Sequence, residues 1–190
     1  MGTPSNLSLG PGRLYVAAPG TAEPTTLFSA SSLPAAPWTE VGYTQEGSTF
    51  SYEFSSEDVE VAESLDPIMT KTTGRTGSLT FSMAENTVRN LTLAFNGGTV
   101  TTTGTGASQV YTYEPPEPGT ELRKMVLFIS EDFTEVWIFR QVFQSGSVGM
   151  DRRKGADKTL IPVEFKLEKP NGKTPFRALY AASRSGGVTV

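Results

Sequence analysis

The chain of 190 residues contains no cysteine and no histidine. Their absence removes disulfides, thiolate and imidazole metal sites, thiol nucleophiles and any Ser-His-Asp arrangement. Long apolar runs are missing too. The longest, MVLFI at 125–129, is far too short to span a membrane. The N-terminus, MGTPSNLSLGPGRLYVAAPG, has neither the basic nor the apolar region of a signal peptide. The expectation is a soluble protein made in a cytoplasm, without membrane insertion. A further absence is local. From Glu40 to Thr70 there is no Lys or Arg, while eight acids occur: Glu40, Glu46, Glu53, Glu57, Asp58, Glu60, Glu63 and Asp66. Like charges on neighbouring strands repel, so this concentration calls for a reason.

What is present favours β structure. Thr, Ser and Gly are abundant, helix formers are sparse, and apolar residues make up 37% of the chain. The length suits a single domain over residues 1–190 with one core. It would have a Gly/Pro/Ser-rich arm at 1–12 and a flexible tail at 183–190. Residues 1–95 carry ten acids and four bases (−6), and residues 96–190 ten acids and twelve bases (+2). Oppositely charged halves let a chain attract its own copy head to tail; a chance distribution is the plain alternative.

Strand alternation is clear in several stretches. Phe50, Tyr52 and Phe54 oppose Ser51 and Glu53; Asp58 and Glu60 oppose Val59 and Val61; Leu79, Phe81 and Met83 oppose Ser78, Thr80 and Ser82. MVLFIS, EVWIFRQVFQ and TLIPVEFKLE read as three robust strands, with EDFT as a hairpin turn and KPNGK as an Asn-Gly turn. One helix is expected from Ala84 to Phe95, with Ser82 as N-cap, Glu85 at capping-box spacing and Gly97-Gly98 as its stop. TVTTTGTGASQ (99–109) is low in complexity and reads as a mobile loop. The fold class is all-β with one short flanking helix: a β-sandwich or barrel of about ten to twelve strands.

Few tools for catalysis remain, and no enzyme activity is expected. A carboxylate pair can hydrolyse glycosides, but Trp38 and Trp137 both lie outside the acid block, which leaves it without a Trp of its own to hold a sugar. No Gly-rich phosphate loop and no calcium loop is recognisable, and no cofactor is implied. DRRKGADK is basic but lacks interleaved aromatics, so a solvated turn explains it better than nucleic-acid binding. What asks for explanation is a long, acidic, Ser/Thr-rich strand pair. Exposed strand edges recruit partners, and a closed ring in which each copy lends strands to a shared barrel would satisfy them.

Three phrases carry a resemblance: LGPGRLYVAAPGTAEPT, WTEVGYTQEGSTFSYE and EDVEVAESLDPIMTKTTGRTGSLTFSMAENTVRNLTLAFNGGTV. Over about residues 9–100 the chain resembles major tail tube proteins of long-tailed (siphovirus) bacteriophages, especially those of actinobacterial hosts. The resemblance implies a β-sandwich flanked by a helix, with a long hairpin joining an intersubunit β-barrel. It implies rings of six copies, each contributing four strands, stacked helically into a virion tail tube that conducts DNA without binding it specifically. It implies assembly in the bacterial cytoplasm. The implied partners are further copies of itself, a tape measure protein within the tube, tail terminator and distal tail proteins at its ends, and tail assembly chaperones. Some relatives carry an additional Ig-like domain, which this chain is expected to lack.

Within that frame, Glu53, Asp58, Glu60 and Glu63 are candidates for a negatively charged lumen. Phe50, Tyr52, Phe54, Val59, Val61, Leu79, Phe81 and Met83 are candidates for packing barrel on sandwich. Arg13, Arg152, Arg153 and Lys154 are candidates for ring-to-ring contacts. A carbohydrate- or receptor-binding virion module is the alternative, with Trp38 and Tyr43 as its available aromatics.

Overall fold

The computed structural model describes residue 7 and residues 10–63, 65–152, 154 and 157–186. Ten strands and one helix follow in order: β1 (Arg13–Ala17), β2 (Thr39–Glu40), β3 (Thr44–Val59), β4 (Met69–Met83), α1 (Val88–Ala94), β5 (Thr99–Thr103), β6 (Val110–Glu114), β7 (Lys124–Ile129), β8 (Glu135–Gln144), β9 (Ile161–Leu167) and β10 (Phe176–Tyr180). Eight strands form one antiparallel sheet in the order β2-β1-β7-β8-β9-β4-β3, with β10 added on β8. This is an all-β fold with one short helix.

The sheet folds on itself because β8 changes neighbours along its length. Residues 135–139 pair with β10, and residues 142–144 pair with β9. An irregularity against β7 between Lys124 and Val126 marks the same corner. Two layers result, β2-β1-β7-β8-β10 and β8-β9-β4-β3. The larger apolar cluster lies between them, with Leu14, Val126 and Phe139 on one side and Leu79, Phe81, Met83, Val163, Phe165 and Leu167 on the other. In β9 the alternation is complete: Ile161, Val163, Phe165 and Leu167 are buried, and Glu164 and Lys166 are exposed.

The first layer is apolar on its other face as well, through Tyr15, Met125, Leu127, Ile129, Val136 and Ile138. The proline-rich loop between β1 and β2 covers this face with Leu27, Phe28 and Trp38. Glu23 pins the loop. Its carboxylate accepts from Arg140 Nε (2.8 Å) and Nη2 (2.9 Å) and from Lys173 Nζ (3.0 Å). Arg177 stands 3.9 Å away. The bidentate Arg140 bonds hold the Glu23 pKa down at about 2.

Two elements differ from the sequence expectation. The helix begins at Val88, not Ala84, and Thr87 caps it, its Oγ1 accepting from the Asn90 backbone N–H at 3.2 Å. Ser82 and Met83 remain in β4, paired with Pro162 and Ile161, and the Ala84 N–H donates to the Tyr43 carbonyl. Glu85 accepts from the Tyr43 N–H at 3.0 Å instead of closing a capping box. Ladder bonds already claim the groups that an earlier helix start would need. The stop begins one residue before the expected Gly97-Gly98 pair: after the Phe95 cap, Asn96, Gly97 and Gly98 take φ 56°, 118° and 107°. Asn96 also bonds both the carbonyl and the N–H of Gln144 with its side-chain amide.

The second difference is residues 99–109, expected as a loop. Thr99–Thr103 is instead a strand paired with Val110–Glu114, closed by a short 3-10 turn at Gly106–Ser108. The β-branched threonines that made the stretch look repetitive favour extended backbone. At the C-terminal end, Ala182–Arg184 forms a 3-10 turn, and Arg184 donates to the Leu7 carbonyl and to Asp132.

Glu23→Gln is expected to destabilise the folded chain by about 2–3 kcal/mol at pH 7. The carboxylate pKa is depressed on folding, so its contribution is full above the ordinary carboxylate value. It is lost as pH falls from about 4.5 towards 2. Urea unfolding of both proteins across pH 7 to 2.5 checks this: the two midpoints should converge at the acid end.

Candidate functional site

The feature that the core does not explain is the β3–β4 hairpin. The two strands run for 16 and 15 residues, roughly 50 Å at about 3.3 Å per residue. β9 supports β4 only over Ser78–Met83. Beyond that, from Glu53 through the turn to Arg75, nearly every residue is exposed. Two irregularities shape it. Glu46 and Gly47, at φ 58° and 79°, are inserted in β3 between Gln45 and Ser48, and Thr73 is the extra residue in β4 opposite Ser55 and Ser56.

Aromatic rings anchor the root. Phe50 lies 5.1 Å from Phe139 and 5.2 Å from Phe176, Tyr52 lies 5.2 Å from Phe176, and Phe54 lies 5.3 Å from Tyr52. Gly77, directly opposite Tyr52, leaves room for that ring: a Cβ there would sit 2.8 Å from Tyr52 Cδ2. The series climbs out of the core. Phe50 and Tyr52 are half-buried, while Phe54 is 63% exposed with the Arg75 guanidinium 5.5 Å above its ring.

Strand parity divides the hairpin into two faces. The core-side face carries Phe50, Tyr52 and Phe54, then continues outward as Ser56 and Asp58, where Thr70 Oγ1 donates to Asp58 Oδ1 at 2.7 Å. The opposite face is polar as far as Glu57 and Lys71 and ends at the tip in the exposed pair Val59–Met69. On β3 it carries Thr49, Ser51, Glu53, Ser55 and Glu57. Their partners on β4 are Thr80, Ser78, Thr76, Gly74 and Lys71. β9 extends two of these rows, Glu164 beside Thr80 and Lys166 beside Ser78. The result is a hydroxyl-rich surface bearing Glu53, Glu57 and Glu164 against Lys71 and Lys166.

The residues singled out in the sequence fall into distinct places. Leu79, Phe81 and Met83 are buried in the main cluster. Phe54, Val59 and Val61 are exposed in the single chain. Of the four lumen candidates, Glu53 is on the polar face and Asp58 on the other, while Glu60 and Glu63 lie in the exposed turn that joins the strands. Arg13 pairs with Glu40 at 3.5 Å. Arg152 and Lys154 are exposed in an irregular stretch, and Arg153 lies outside the described residues. Trp38, at the end of the β1–β2 loop, packs against the sheet, which leaves Tyr43, 80% exposed, as the free aromatic of the binding-module alternative.

The repulsion that the acid block seemed to create does not arise. β3 carries four of the eight acids, Glu46, Glu53, Glu57 and Asp58, and its neighbour β4 carries Lys71 and Arg75 and no acid. Glu57 stands directly opposite Lys71. The sequence reading passed over Glu164, Lys166 and Lys71 as parts of one surface. The alternation of β9 was visible, but only the β4–β9 pairing joins it to the hairpin.

Among the described residues no group of three or more Asp and Glu side chains is arranged to hold a metal ion, and no helix is long and apolar enough to cross a membrane. A search of curated proteins found no match. A family model of phage tail tube proteins matches residues 5–168, which takes in the whole of the sheet except β10 and all of the projecting hairpin. Proteins of that family are structural parts of the virion and assemble with their own copies into the tail tube. With that match spanning most of its length, this chain belongs to the phage tail tube protein family.

Proposed function

We propose that the chain is the major tail tube subunit of a siphovirus with an actinobacterial host. Six copies close into a ring, and rings stack helically around a continuous bore through which the genome passes. Each copy lends β3, β4, β9 and the end of β8 to the shared barrel. The whole chain acts as one tail tube domain, assembled in the host cytoplasm with tail chaperones. A tape measure protein occupies the bore before ejection, and terminator and distal tail proteins close the ends.

One observation carries this reading. The hairpin is firmly rooted by packed aromatics, yet its outer half is exposed on both faces and its edges are open. A two-stranded ribbon is marginal in water by itself, and neighbouring ribbons supply the missing edges.

The face directed away from the core then becomes the channel wall. It offers hydroxyls together with three acids and two bases, Glu53, Glu57 and Glu164 against Lys71 and Lys166, a net −1 per copy. Duplex DNA carries one negative charge per ~1.7 Å of axis, and a wall of cations would hold it by counterion release. Hydroxyls with a slight acidic excess give no such grip. At the ends of the ring, exposed Arg152 and Lys154, with Arg153, face Glu60 and Glu63 in the hairpin turn of the next ring. Arg13 contributes beside Glu40.

Electron microscopy of the purified protein tests the architecture: hollow rings or tubes are expected, and a strictly monomeric particle at high concentration contradicts it. Glu164→Lys tests the wall. It lies in the interior of the sheet and away from the hairpin edges, so tubes should form normally. Infectious titre at equal tube yield should drop by about tenfold or more as DNA is retained; an unchanged titre removes this face from the channel.

The single chain makes a separate prediction. Leu79→Ala should cost about 2–5 kcal/mol of monomer stability, whereas Phe54→Ala should cost under about 1 kcal/mol. It should instead weaken tube formation. Denaturant melts of the unassembled variants decide between core and assembly roles.

A further inference from the structure

The two strands of the hairpin differ in charge. β3 carries Glu46, Glu53, Glu57 and Asp58 with no base, and β4 carries Lys71 and Arg75 with no acid. Both strands also have an open edge among the described residues. β3 pairs only with β4, and residues 69–77 of β4 pair only with β3. An open edge can meet a copy of itself in two ways. In an isologous contact, related by a two-fold axis, β3 lies against β3 or β4 against β4. In a heterologous contact, β3 of one copy lies against the distal edge of β4 of the next.

Charge separates these arrangements. A β3–β3 pair sets Glu53, Glu57 and Asp58 against the same three acids, and a β4–β4 pair sets Lys71 and Arg75 against themselves. Like charges directly opposite across a ladder are destabilising. The heterologous pair is complementary on both faces at once. Glu53, Glu57 and Lys71 share the polar face, and Asp58 and Arg75 share the other, so in this pair the acids of one copy are set on the same face as the bases of the next. Copies related by rotation about a ring axis present β3 and β4 antiparallel, as the ladder requires.

We infer that the partition of charge between the two strands fixes how copies join: the outer edge of β3 docks on the distal edge of β4 of a second copy, and same-edge pairing is refused. This inference rests on the ring reading above. It accounts for the acid block as a property of an edge strand. An open, flat, 16-residue edge invites aggregation, and charges of one sign keep it from pairing with its own image.

Two charge-reversed proteins test it. The first is E53K/E57K/D58K, which makes both strands predominantly basic; the second is K71E/R75E, which makes both acidic. All five positions are exposed, so each variant should retain the wild-type near-ultraviolet circular dichroism. At low ionic strength, where charges act over the longest range, each alone should form at least about tenfold fewer tubes than wild type. An equimolar mixture should recover tubes in which the two kinds alternate. Tubes formed at wild-type level by either variant alone overturn the inference, as does a mixture of two folded variants that stays unassembled. A wild-type control without rings or tubes counts against the ring reading instead.

A second measurement avoids any change of charge. The chain has no cysteine, so single-cysteine copies report one contact each. Ser56 and Thr72 lie on the same face of the hairpin, so S56C and T72C proteins, oxidised during assembly, should give disulfide-linked dimers only when mixed. A strong homodimer from S56C alone shows β3 meeting β3 and refutes the assignment.

Discussion

The structure turns on a mismatch of length. β4 has fifteen residues and β9, the strand that supports it, has seven, of which the pairing uses six positions of β4. The hairpin therefore runs past the last neighbour able to satisfy its backbone. A ribbon of two strands has no interior of its own, so its direction depends wholly on the root. There the fold concentrates its rigidity: a staircase of rings from Phe139 to Phe54, a glycine that admits the Tyr52 ring, and an insertion at Glu46-Gly47 that sets the angle at which β3 leaves the sheet. The buried apolar side chains lie at the base, and those of the outer half, Val59, Val61, Leu65, Ile68 and Met69, are all exposed.

The rest of the molecule holds that root still. The sheet is apolar on both faces of its first layer, and a chain with 37% apolar residues has little left to cover the second face. The β1–β2 loop does so with three large side chains and one ionic clasp. Glu23 gathers Arg140 from β8 with Lys173 and Arg177 from around β10, so the loop and the last strand are tied at one carboxylate. Phe176, which meets both Phe50 and Tyr52, belongs to that same last strand. The clasp on one face and the ring stack on the other thus act on a shared element, which couples the cover of the sheet to the aim of the hairpin.

Much of this was legible in the sequence. Alternation placed β3, β4, β8 and β9, and the parity of Phe50, Tyr52 and Phe54 against Glu53 is that of the folded strand. Two signals misled. The capping-box spacing of Ser82 and Glu85 was overridden by ladder bonds that continue through Met83. The threonine repeat at 99–103 reads as irregular, but its β-branched residues form a strand with 110–114. What no reading of the chain alone supplies is adjacency. Lys71 opposite Glu57, and Glu164 in the same row as Thr49 and Thr80, are facts of pairing.

That distinction changes what the acid block means. Charge counted along the strand is four acids on β3; charge counted across the polar face is three acids and two bases among many hydroxyls. The two counts bear on different properties. A strand's charge governs which edge it accepts, because ladder neighbours stand about 5 Å apart. In the proposed tube a face's charge governs what moves past it, because a polyanion in the bore would sense the summed field of all the strands. Serine and threonine suit the second task for a reason separate from charge. A hydroxyl exchanges hydrogen bonds with water and phosphate on nearly equal terms, so passage over it neither gains nor loses much. A wall can therefore be almost neutral and still fail to grip, while the strands that build it remain strongly charged at their edges.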